Sequence, residues 1–94
     1  MAVPGKVILY PQPARNGRVH AAYVMAQSGT ATLTVYNLAG QMVAVIKDTV
    51  GQGGQVTGWD VGTWASGVYF VKVNLDYNDG SGADLPLAKF LVVR

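Results

Sequence analysis

Apolar and polar residues alternate along this chain in short runs, and glycine, proline and asparagine fall between the runs. A period of two bounded by turn residues is the signature of β-strands with one face buried. In "TATLTVYNL" (30–38), Leu33 and Val35 take one side and Thr32 and Thr34 the other. Seven runs of this kind are predicted, at 6–10, 18–26, 30–38, 41–48, 55–60, 67–77 and 85–93. They are rich in Val, Thr and Tyr, which suit a pleated, half-buried surface. No stretch shows a sustained helical period with caps. Pro86 sits near the start of the last run, where a missing N–H is tolerated.

The alternation also predicts which side chains are inside. In the second run Val19, Ala21, Tyr23 and Met25 share one face, and His20, Ala22 and Val24 share the other. In the sixth, Tyr69, Val71, Val73 and Leu75 are assigned to the core. Val68, Phe70, Lys72 and Asn74 are assigned to the opposite side. Evenly spaced strands with turn signals between them indicate a sandwich or a small barrel. Seven strands in 94 residues match the size of an immunoglobulin-like domain. The predicted fold is an all-β, seven-stranded antiparallel immunoglobulin-like sandwich spanning 1–94 as one module. In such sandwiches a tyrosine at the start of the sixth strand bonds back to the backbone at the corner. Tyr69 is predicted in that role, with Gly67 giving the turn its room.

Composition narrows the function. Half the residues are apolar and 13% are charged, which excludes a disordered chain. Net charge is +2, and the cations Lys6, Arg15, Arg18, Lys47, Lys72, Lys89 and Arg94 are scattered. Without a basic cluster there is no nucleic-acid footprint. Cysteine is absent, which removes disulfides, thiolate metal sites and cysteine nucleophiles. The apolar run near the N-terminus is too short for a signal peptide, so any export signal is expected in a larger parent. No run approaches the length of a membrane span.

Candidate chemistry is sparse. The single histidine, His20, lies in a strand pattern, and Ser28, Ser66 and Ser81 sit beside glycines in turns rather than in a nucleophile elbow. "VGQGGQ" (50–55) lacks the Lys-Ser/Thr of a phosphate loop and reads as a flexible link. The loop "DYNDGSGAD" (76–84) holds Asp76, Asn78, Asp79 and Asp84, a weak candidate for calcium. Its glycines break the ligand spacing and equally suit a solvated hairpin. No metal or other cofactor is expected. Trp59 and Trp64 could form a sugar platform, or could fill the core and cap one end.

An ordered set of motifs runs through the chain: "YPQP", "YNLAG", "GWD", "SGVYF" and a terminal "AKFLVVR". This set resembles the C-terminal sorting domains of the type IX secretion system. It resembles equally the immunoglobulin-like domain of flagellar hook-capping proteins. Tyr10, Pro11 and Pro13 match the opening motif, with Gln12 in place of Asn. Tyr36, Asn37 and Gly40 match the second. Trp59 and Asp60 match the third, with Val61 where glycine is usual. Ser66, Gly67, Val68, Tyr69 and Phe70 match the fourth, and Lys89 and Arg94 the last. The acidic hairpin is longer than the family's usual turn.

The resemblance implies no catalysis. It implies a bacterial module, secreted or displayed at the outer membrane or cell surface, that sorts a parent protein through the type IX system. Its partners would be the secretion machinery and the parent's other domains. The hook-capping resemblance implies instead a structural module for adhesion, docking or assembly. Low charge on the edge strands leaves self-association open as well.

Overall fold

The computed structural model describes residues 4–11 and 17–93. Its strands are β1 (Ile8–Tyr10), β2 (Arg18–Met25), β3 (Gly29–Asn37), β4 (Met42–Val50), β5 (Gly53–Asp60), β6 (Gly67–Tyr77), β7 (Gly82–Asp84) and β8 (Ala88–Val92). They form two antiparallel sheets rather than a closed barrel. One has three strands in the order β1-β2-β5. The other has five, β4-β3-β6-β7, with β8 also paired to β6. Consecutive strands pass between the sheets at β2–β3, β4–β5 and β5–β6, which makes the sandwich immunoglobulin-like.

The described residues form eight strands, one more than the predicted seven. β7 pairs with Asn74–Asp76 of β6, and β8 pairs with Gly67–Val71 on the same side of β6. They are one edge strand, broken between Asp84 and Ala88. Leu85 keeps a backbone bond to Val73 at 3.0 Å. The next residue, Pro86, has no N–H to offer, and the ladder lapses there. The acidic loop is thereby drawn into the sheet, with its tip at Asn78–Ser81. The other departure is the glycine-rich link, which is shorter than expected. Gly53 and Gly54 extend β5 and pair with Met25 and Val24, leaving only residues 51–52 as the turn.

Alternation assigned the faces correctly. Val19, Ala21, Tyr23 and Met25 of β2, Ala31, Leu33 and Val35 of β3, and Tyr69, Val71, Val73 and Leu75 of β6 form one buried cluster. Val61 is buried too, in the position where the motif would carry glycine. Ala22 is the exception on its face; it is buried between Ile8 of β1 and Val56 of β5.

The core holds one polar chain. The Tyr23 hydroxyl lies 2.7 Å from Thr57 Oγ1, which donates to Asp48 Oδ2 at 3.0 Å. Thr57 has a single proton and gives it to the carboxylate, so Tyr23 donates to Thr57. Tyr23 and Thr57 belong to the three-stranded sheet and Asp48 to the five-stranded one, so the chain ties the layers together. Burial pushes the Tyr23 phenol above its ordinary value, only partly offset by the bond to Thr57. Thr57→Val keeps the shape and strands the Tyr23 hydroxyl. It is expected to cost about 1–3 kcal/mol, measured by urea denaturation, whereas the double change Tyr23→Phe with Thr57→Val should recover part of that loss.

Candidate functional site

The motif residues do not gather at one point. They divide into an aromatic cluster at one end of the sandwich and several separate turn and surface positions. Pro13 and Arg94 lie outside the described residues.

The cluster forms because β5, the β5–β6 connection, β6 and β8 each send one ring to the same end. Trp59 of β5 meets Phe90 of β8 edge-on, with centroids 5.8 Å apart. Tyr69 of β6 stacks on Phe90 at 5.5 Å, and Trp64 covers Tyr69 at 5.1 Å. Phe90 is 1% exposed and joins the two sheets. Reading the sequence for site residues passed over it in favour of its neighbour Lys89. The alternation of "AKFLVV" was the available signal. Trp59 is buried, and its indole N–H has no hydrogen-bond partner among the described residues. The ring therefore acts through its apolar area. With Trp59 enclosed and one side of Trp64 taken by Tyr69, the two tryptophans plug this end of the sandwich.

The corner bond predicted for Tyr69 is present. Its hydroxyl donates to the Ala65 carbonyl at 2.7 Å. Between them Gly67 holds φ +155°, a backbone conformation that side chains disfavour. This turn lets the chain leave Trp64 and enter β6 with Tyr69 pointing inward.

The remaining positions are local fasteners. Gly40, at φ +84°, closes the β3–β4 turn. Asn37 anchors that turn, accepting from the Gln41 N–H through Oδ1 and donating through Nδ2 to Gln41 Oε1. Asp60 accepts the Gly62 N–H at 2.7 Å and shapes the exit from β5. Tyr10 stacks on His20 with centroids 5.3 Å apart, on the outer side of the three-stranded sheet. Pro11 follows Tyr10 through a cis peptide bond. Lys89 is exposed on β8, in register with Phe70.

The acidic hairpin does not form a cage. Among the described residues no group of three or more His, Cys, Asp or Glu side chains is placed to hold a metal ion. Asp84 accepts from Asn74 Nδ2, and Asp76 pairs in the ladder with Gly82. Asp79 accepts the Ser81 hydroxyl and N–H through one oxygen and Gln27 Nε2 through the other. These bonds, led by the Ser81 hydroxyl, lower its pKa from 3.8 to about 2.

Two outcomes are expected. Tyr69→Phe keeps the ring and loses the corner bond, lowering stability by about 1 kcal/mol; unchanged thermal unfolding would contradict the corner assignment. For Asp79, the folded pKa lies below the unfolded value. Its contribution is thus present above about pH 4 and lost as pH falls towards 2. An NMR titration of the carboxyl should show a midpoint near 2, and Ser81→Ala should move it up.

Trp59, Trp64, the Tyr69 corner and the β3–β4 turn lie within the stretch that a known family's model matches, and Phe90 lies beyond it. No curated protein matches the chain. The model of the secretion system C-terminal sorting domain matches residues 8–81, from β1 to the tip of the acidic hairpin. Of the two families that the motifs resemble, this is the first, and such a tail belongs to a bacterial protein that is secreted or held at the cell surface. With most of its length so matched, the chain belongs to the family of C-terminal sorting domains that serve type IX secretion.

Proposed function

We propose that the folded sandwich is itself the sorting signal, that it works by non-covalent recognition without chemistry of its own, and that β8 is part of what the machinery reads. The family match over β1–β6 is the observation that carries this reading. The packing supports the role of β8. Phe90 and Val92 are buried in the shared core, so the strand's outward residues Lys89 and Leu91 are held in fixed positions. The non-catalytic reading is supported by the setting of His20. Its ring lies on Tyr10 and beside Gly58, where a Cβ would fall 2.7 Å from Nδ1.

The test is a reporter carrying an N-terminal Sec signal and this chain at its C-terminus, expressed in a host with a type IX system. The fusion is expected at the cell surface or in the medium. Removal of "KFLVVR" (89–94) should leave it in the periplasm. Phe90→Ala should cost about 3–5 kcal/mol and reduce export in step with the loss of folded protein. Export indifferent to both changes would refute the reading.

A further inference from the structure

The inner side of the five-stranded sheet is core; its outer side is two surfaces of different chemistry. Towards the acidic hairpin it carries Thr30, Thr32, Asn74, Asp76 and Asp84. Towards the other end it turns apolar. The register places Thr34 between Val45 and Lys72, Phe70 between Tyr36 and Lys89, and Val68 beside Leu91. With Met42 opposite Tyr36, the residues Tyr36, Met42, Val45, Val68, Phe70 and Leu91 form one patch across four strands. Met42, Val45 and Leu91 are 62%, 47% and 41% exposed. A cleft of about 380 Å³, lined by Val68, Lys89, Phe90 and Leu91, borders the patch along β8. A continuous apolar area on a sheet face marks an interaction surface.

Charge decides the kind of partner. Lys72 and Lys89 project within the apolar end, and Lys47, opposite Thr32, stands one row beyond its border on the same outer side. The described carboxylates on it, Asp76 and Asp84, stand at the hairpin end. A second copy laid apolar patch to apolar patch would bring Lys72 and Lys89 against their own copies. A lipid surface fits poorly, because Lys72 and Lys89 stand level with the apolar side chains and would be carried into hydrocarbon with them. A protein surface with an apolar centre and carboxylates around it satisfies both features. We propose that this end of the outer sheet face is the docking surface for an acidic, apolar-centred protein of the secretion machinery. The proposal rests on the sorting function above and deepens it.

The experiment places Lys47→Glu, Lys72→Glu and Lys89→Glu together in the reporter fusion, beside a matched Lys→Arg set. Circular dichroism confirms that each variant is folded. Wild type and the arginine set are expected to be exported, and the glutamate set to fall by about tenfold or more, as charge reversal at a matched interface requires. Should the glutamate set fail to fold, Val45→Ser with Leu91→Ser reads the same surface and is expected to give the same loss. Wild-type export from a folded charge-reversed variant, or from the serine pair, overturns the docking surface and leaves the sorting function standing. Retention of the wild-type fusion overturns both. The isolated wild-type domain is also run in sedimentation velocity and floated with phosphatidylglycerol vesicles, and is expected to stay monomeric and unbound. A dimer that the serine pair dissolves, or flotation that the glutamate set abolishes, assigns the face to another occupant and overturns the proposal.

Discussion

β6 is the strand on which the other elements depend. One edge pairs with β3 over the length of that strand, and the other carries β8 and then β7. Its inward side chains Tyr69, Val71, Val73 and Leu75 run along the core and face the three-stranded sheet. Both ladders require β6 to enter the sheet at one point and in one register. A slip of one residue would turn the core face outward. The Tyr69 bond to Ala65, closed through Gly67, sets that entry. The motif residues of this region serve the register of the sandwich first.

The two ends of the interior are held by different physics. At the corner end, Trp59, Trp64, Tyr69 and Phe90 bring together large apolar area, and ring pairs of this kind add about 0.5–1.5 kcal/mol beyond burial. Elsewhere in the interior, the Tyr23–Thr57–Asp48 chain links the sheets through directional bonds. The aromatic plug supplies bulk, while the hydrogen-bonded chain fixes where one sheet lies on the other, since a buried hydroxyl without its partner is costly. Phe90 makes β8 part of this interior. β8 therefore cannot be separated from the fold without disturbing the opposite sheet.

The side chains that build the sandwich and those that face outward alternate along the same strands. On β8, Phe90 and Val92 point in while Lys89 and Leu91 point out. On β6, Val71 and Val73 point in while Phe70 and Lys72 point out. The ladder of hydrogen bonds fixes the spacing of the outward side chains as firmly as that of the inward ones.

Much of this was legible from the residues. A period of two assigned the faces of β2, β3 and β6, because one side of each strand must be buried and that requirement is written locally. The Tyr69 corner was legible for the same reason: its bond reaches four residues back along the chain. The break in the last edge strand was not, although Pro86 was in plain view, since whether a missing N–H matters depends on the strand opposite. The conformation of Gly53 and Gly54 depended in the same way on β2. The meeting of Trp59 with Phe90, the passage of Thr57's proton to Asp48, and the capture of Asp79 by Ser81 and Gln27 join residues whose separation carries no periodic signal. The alternating sequence by itself determined strands, faces and corner. Only the tertiary structure decided which side chains meet between sheets and which outward residues form one surface, because those depend on inter-strand register and sheet packing.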